Sequence, residues 1–125
     1  MTASGNEAAV ADAEPRDRWR QLAIIGSGVL LAFAPWFSAS AVAPLLAAEW
    51  HPAGLELPLL TVAVQVGFAI AAIVLAVSGA ADAISGPRLF LAGSVVAAVG
   101  NLGFALLAGS PAAALPWRAV TGAGL

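Results

Sequence analysis

The sequence contains no cysteine and only one histidine, His51, among its 125 residues. Without cysteine the chain forms no disulfide and carries out no thiolate chemistry, and a lone histidine excludes a metal site built from a histidine cluster. Charged residues are scarce, at 10% of the chain against about 25% in an ordinary soluble domain. The net charge of -2 and the lack of a basic patch argue against a nucleic-acid partner.

Apolar residues make up 61% of the chain and lie in long uncharged runs. Residues 22–48, 57–81 and 89–108 each form such a run, and a helix needs about 20 apolar residues to cross a bilayer. A fourth run, residues 112–125, follows the turn "GSP" and corresponds to about 21 Å of helix, short of a hydrocarbon core of about 30 Å. The sequence therefore predicts an all-α transmembrane helical bundle with three complete spans and an incomplete fourth.

The ends of the chain lead to two further predictions. Residues 1–21 are small, polar and charged, so we expect a disordered tail. The fourth span stops before it can cross the membrane, so we expect an N-terminal fragment of a longer membrane protein. The alternative is a complete small protein whose last helix is short or re-entrant.

The arginines predict the orientation of the spans. Arg16, Arg18 and Arg20 precede the first span and Arg88 lies in the second loop, whereas the first loop, "EWHPAGLELP", has two glutamates and no basic residue. Because basic residues favour the cytoplasmic side, the N-terminus and the second loop are expected there. The chain is thus predicted to be a multi-pass protein of the inner or plasma membrane.

An acid and a base lie close together in the turn between the second and third spans, "SGAADAISGPRLF". Asp82 follows the C-terminal end of the second span, where the helix dipole disfavours an exposed acid by roughly 0.3–1 kcal/mol. It therefore calls for a partner, either Arg88 or the N-terminal end of another helix. The alternative is an ordinary polar loop, which accounts for Arg88 but less directly for Asp82.

Two motifs resemble those of the major facilitator superfamily. Its signature loop reads G-x-x-x-D-[RK]-x-G-[RK]-[RK]; here Ala83 and Pro87 replace basic residues, and the second glycine comes one position late. Its span-four motif, R-x-x-x-G-x-G, is similar to "RAVTGAGL" near the end of the chain. The matching positions are Ser78, Asp82, Gly86 and Arg88 in the loop, and Arg118, Gly122 and Gly124 in the fourth span.

The resemblance implies a partial N-terminal half of the major facilitator superfamily fold. It implies secondary active transport of a small solute by alternating access, completed by C-terminal spans that this sequence lacks. The implied partners are the lipid bilayer and an unidentified small solute, with no cofactor, no metal and no enzymatic reaction. Asp82 would pair with Arg88 and with a helix end of the missing half to form a cytoplasmic gate.

Polar side chains within the spans mark a candidate substrate route. An arginine near the centre of a span costs at least about 2.5–3.5 kcal/mol on insertion scales. Arg118 therefore either extends to the membrane interface or faces a wet cavity, where it meets an anion, a carboxylate or a proton pathway. Trp36, Gln65 and Asn101 are the other candidates, and the alternative for the two amides is hydrogen bonding between helices.

Small residues repeat along the second and third spans. Ala63, Gly67 and Ala71 form one stripe, and Gly93, Ala97 and Gly100 form another, so each helix allows another backbone to approach closely. These stripes support a second hypothesis, a helical accessory subunit that packs on a partner and has no transport activity of its own. A small four-helix multidrug exporter is disfavoured, because no span carries an embedded carboxylate.

Overall fold

The computed structural model describes the backbone of residues 4–125 and the side chains of residues 17–125. Across the described backbone every regular element is a helix, so the predicted all-α fold class is confirmed. Arg16, which contributes to the predicted orientation, lies outside the described side chains. The helices are α1 (Ser4–Ala41), α2 (Ala43–Trp50), α3 (Glu56–Ser78), α4 (Ala80–Ala83), α5 (Gly86–Leu107) and α6 (Pro111–Ala123).

Three segments of the described chain are long and apolar enough to cross a membrane: Asp17–Trp50, Glu56–Ser78 and Gly86–Leu107. They overlap the three predicted spans, and α6 covers most of the predicted fourth one. The main difference is at the N-terminus, where α1 begins at Ser4 instead of near residue 22. The segment predicted as a disordered tail thus lies largely within α1, because its alanines and glutamates favour helix despite their polar surroundings.

The described chain divides into two units, residues 1–31 and 32–125. In the first unit, the described side chains lie along α1 and are exposed except for Gly28. Apolar residues dominate that surface, including Leu30, which is 75% exposed. Large exposed apolar surfaces of this kind are rare on water-soluble monomers and suit a helix that faces lipid.

In the second unit, α6 packs between α3 and α5 through glycines on all three helices. A Cβ atom added at Gly67 would overlap the backbone of Ala119, and one added at Gly122 would overlap the backbone of Val64. On the other side of α6, a Cβ atom at Gly100 would overlap Thr121. The small-residue stripes predicted on the second and third spans therefore face α6, whose backbone lies close to both neighbours.

A break at Val42 separates α1 from α2, and Pro44 occupies the first turn of α2. Proline lacks a backbone N–H and fits the first turn of a helix, where no intrahelical acceptor exists. α2 then ends at Trp50 and is capped by His51, whose φ of 46° is left-handed and whose N–H donates to the carbonyl of Ala47 at 3.2 Å. The first span is therefore a long helix with a proline-associated break near one end.

The turn between α3 and α5 begins and ends three residues earlier than the sequence predicted. α3 ends at Ser78, and Gly79 adopts a φ of 67° that a residue with a side chain rarely takes. Asp82 then lies in the single turn of α4, and Arg88 lies in the first turn of α5. Seven residues, 79–85, join α3 to α5, so the two helices form the arms of a helical hairpin with α6 packed between them.

Candidate functional site

The guanidinium of Arg118 lies inside the helical bundle and is 0% exposed. It projects from α6, the helix held between α3 and α5 by close backbone contacts. The predicted alternative, in which this side chain extends to the interface, does not occur in the structure. The side chain instead points toward the part of α1 that follows Pro35.

Four hydrogen bonds hold the guanidinium. Nη1 donates to the carbonyl oxygen of Pro35 at 3.0 Å, to Ser38 Oγ at 2.9 Å and, more weakly, to Asn101 Oδ1 at 3.4 Å. Nη2 donates to the carbonyl oxygen of Trp36 at 2.9 Å. The planar fork of arginine suits this arrangement, because its nitrogens reach several acceptors at fixed angles. Arg118 thereby joins α6 to α1 and α5.

The acceptors in this cluster are neutral oxygens. The hydroxyl of Ser38 lies 2.7 Å from Asn101 Oδ1 and 2.8 Å from the Pro35 carbonyl, and it has one proton to donate. Within the part of the chain whose side chains are described, no carboxylate accepts a hydrogen bond from Arg118. Among the described side chains, the positive charge is therefore solvated by backbone and side-chain dipoles and not by a carboxylate.

An aromatic pair extends from the guanidinium. Its central carbon lies 5.3 Å from the centre of the Phe104 ring, within the range of a cation–π interaction. Phe104 in turn contacts Trp50 edge to face, with ring centres 6.4 Å apart. Two buried donors, Arg118 Nε and Trp50 Nε1, have no hydrogen-bond partner among the described residues. The polar cluster thus borders an aromatic wall that reaches the end of α2.

The structure brings together only some of the predicted route residues. Asn101 bonds to Ser38 and Arg118, and Trp36 contributes its carbonyl oxygen, while its ring packs against Phe68 at 5.9 Å. Gln65 is exposed on α3 and makes no side-chain hydrogen bond among the described residues. It lies one turn before Phe68, whose ring contacts Trp36 of α1.

The predicted gate residues lie at the surface. Ser78, Asp82, Gly86 and Arg88 are all exposed, and no ion pair joins Asp82 to Arg88 among the described side chains. The predicted pairing is therefore absent from this structure, because the two groups sit on successive helix turns that project them into solvent. Ser78 instead bonds locally, donating to the carbonyl of Leu75 at 3.3 Å.

The glycines of the span-four motif have a packing role. Gly122 lies against the backbone of Val64 on α3, and Gly124 lies against Ala97 and Gly93 on α5. Sequence reasoning did not identify Phe104 as a site residue. It expected Ser38 to find a hydrogen-bond partner, as a serine within a span must, but it did not predict that the partner would be Arg118.

Comparison of the chain with models of protein families, with curated proteins and with solved structures finds no match.

Proposed function

We propose that the chain forms the first spans of a secondary transporter that moves a small solute across the membrane by alternating access. The observation that carries this proposal is the buried, hydrogen-bonded Arg118 within an apolar helical bundle. An ionisable side chain in a span is costly, and such residues typically mark a solute, ion or proton pathway. Here the cost is offset by groups from two other helices, α1 and α5, which suits a site whose helices move relative to one another.

Two further observations support the proposal. α1 carries Pro35 next to the bonded carbonyls and a break at Val42, and such interruptions allow a helix to bend. Asp82 and Arg88 are exposed at the turn of the hairpin, the end that lies away from α2, where additional spans of the same protein can reach them. The family resemblance of these residues points the same way.

The accessory-subunit hypothesis has less support. It requires the small-residue stripes of the second and third spans to be free for a partner protein. α6 already covers Gly67 and Gly100, so those surfaces are used within the chain. A partner would have to bind elsewhere, on faces dominated by larger apolar side chains.

The proposal is tested by the water accessibility of Gln65. The chain has no cysteine, so Gln65→Cys introduces a single thiol at mid-span. In cells that express the protein from its natural gene, we expect a membrane-impermeant maleimide to label this thiol. Ile70→Cys is the control, because Ile70 is 58% exposed and lies about 140° around α3 from Gln65.

Alternating access predicts labelling of Gln65→Cys without labelling of Ile70→Cys, since only the first faces the aqueous route. Absence of label at both positions would mean that Gln65 meets lipid or protein, as the accessory-subunit hypothesis expects. Label at both positions would mean that water reaches α3 on two different sides, which contradicts a defined route.

A further inference from the structure

A groove of about 350 Å³ runs beside the Arg118 cluster, between the first span and α5. One wall comes from the first span between Ser38 and Trp50, and the other comes from α5 between Asn101 and Ala108. The groove therefore begins at the polar cluster and ends near the loop that follows α2. Along α1 and α2 this distance is about 18 Å at 1.5 Å per residue.

Hydrogen-bond donors lie at the inner end of the groove. Arginine only donates, so Asn101 must present Oδ1 to Arg118 and to Ser38, and its Nδ2 points away from them. That amide nitrogen has no acceptor among the described residues, and Asn101 is half-buried along the groove. The groove thus offers N–H groups that require oxygen acceptors.

The charge distribution favours an anion at this inner end. Arg118 lies directly behind Asn101 and Phe104, and its charge has no carboxylate partner among the described side chains. In a low-dielectric interior such a charge acts over several ångströms with little screening. Glu49 lines the opposite end, where it is exposed to solvent, and it disfavours an anion there.

The remaining lining is apolar and aromatic. Phe104 and Trp50 line it with their rings packed edge to face. Val42, Leu46, Ala105 and Ala108 complete the walls. Pockets with this mixture, a mostly apolar surface and a few polar groups, are typical of small-molecule sites. We propose that the groove binds a small monocarboxylate with an apolar or aromatic body, its carboxylate at Asn101 Nδ2 and its body against Phe104 and Trp50.

This inference goes beyond transport, because binding in the groove can be measured whether or not the protein moves a solute. The probe is 4-bromobenzoate, whose bromine quenches tryptophan fluorescence on contact, added to the purified protein in detergent micelles. 4-Bromobenzamide and 4-bromotoluene are the matched neutral and apolar probes. We expect saturable quenching by the carboxylate, at least fivefold weaker binding of the amide, and only linear, partition-type quenching by the toluene.

Two substitutions locate the site. Trp50→Phe removes the reporting indole, so the saturable part of the quenching should disappear. Asn101→Asp keeps the size of the side chain and supplies Arg118 with a carboxylate, so the fold is retained while a bound carboxylate is repelled. We expect Asn101→Asp to weaken 4-bromobenzoate binding about tenfold or more and to change 4-bromobenzamide binding less than threefold. Leu102→Ala, a neighbouring α5 residue outside the groove, is the control and should change neither.

Other outcomes would overturn the inference. Saturable quenching by 4-bromotoluene with the same midpoint would show that the groove accepts any apolar body, such as a lipid acyl chain. Saturable carboxylate quenching that persists in both Trp50→Phe and Asn101→Asp would place the carboxylate elsewhere. The comparison of the three probes on the unsubstituted protein does not depend on how the variants fold. Labelling of Gln65→Cys is independent of these readouts, so the transport proposal and this one can fail separately.

Discussion

At the scale of single residues, the central feature is a buried cation that has no acid beside it among the side chains of residues 17–125. A charge removed from water normally needs a counterion or several hydrogen bonds. Arg118 has the second arrangement, with bonds to two backbone carbonyls, a hydroxyl and an amide. The backbone carbonyls matter most for its placement, because they belong to the segment of α1 that begins at Pro35.

The first prediction concerns Arg118→Lys and Arg118→Met. Lysine keeps the buried charge but gathers its three donors on one nitrogen, so it cannot reach the Trp36 carbonyl and Ser38 together. Methionine removes the charge, and the Ser38–Asn101 hydrogen bond at 2.7 Å remains. We expect the lysine variant to be less stable than the methionine variant by about 1.5–3 kcal/mol. Thermal unfolding in detergent, followed by circular dichroism, measures the difference; a more stable lysine variant would refute it.

Sequence reasoning at this scale identified Arg118 and two of the residues that bond it, Trp36 and Asn101, but not the backbone carbonyl groups that accept its hydrogen bonds. The transfer cost of a charged side chain predicted that Arg118 needs a special environment. The carbonyl oxygens of Pro35 and Trp36 could not be predicted this way, because every residue has a carbonyl group. Only the tertiary structure shows which two lie within hydrogen-bond distance of Arg118. Asn101 was predicted as a polar residue at mid-span, whereas Phe104 resembled any other apolar residue of its helix.

At the scale of the helices, the close packing of α6 against α3 and α5 depends on glycine residues. Its backbone lies so close to α3 and α5 that side chains at the contact points would have to displace a neighbouring backbone. Such contacts maximise van der Waals packing where no hydrophobic effect drives helices together. The same close approach brings Arg118 within reach of α1, so packing and the polar cluster are linked.

The second prediction compares Gly122→Ala with Gly26→Ala. Both glycines lie within helices, so alanine gains similar helix propensity, about 1 kcal/mol, at each position. A Cβ atom at Gly122 would overlap the Val64 backbone, whereas nothing lies within 4 Å of one at Gly26. We expect Gly122→Ala to destabilise the protein by about 1–3 kcal/mol and Gly26→Ala to leave its stability unchanged or higher.

Thermal unfolding in detergent, with matched protein concentration and detergent, measures both variants. Equal unfolding temperatures for the two would mean that α3 and α6 can separate without cost, and the close packing described here would then be incorrect. The sequence predicted this packing in part: the four-residue spacing of small residues on the second and third spans identified the contact faces. It did not identify α6 as the helix that covers both, because spacing alone does not name a partner.

At the scale of the whole chain, the apolar runs predicted where the membrane helices lie. Length and hydropathy decide this, since a bilayer leaves few alternatives to a helix of about 20 apolar residues. The helix start at Ser4 was not predicted, because membrane hydropathy carries no information about a polar segment that precedes a span. The orientation of the spans rests on the arginines alone and stays a prediction.

The third prediction tests that orientation with two single-cysteine variants in the cysteine-free chain. Ala53 lies in the loop after α2 and Ser85 lies in the turn before α5, and both are exposed. Because arginines favour the cytoplasmic side, we expect an impermeant maleimide to label Ala53→Cys in intact cells and Ser85→Cys only after the membrane is permeabilised. The reverse pattern would invert the topology and place Asp82 and Arg88 on the outer surface, where they could not serve a cytoplasmic gate. Equal labelling of both in intact cells would mean that α3 does not cross the membrane, since a single crossing helix must place its two ends on opposite sides.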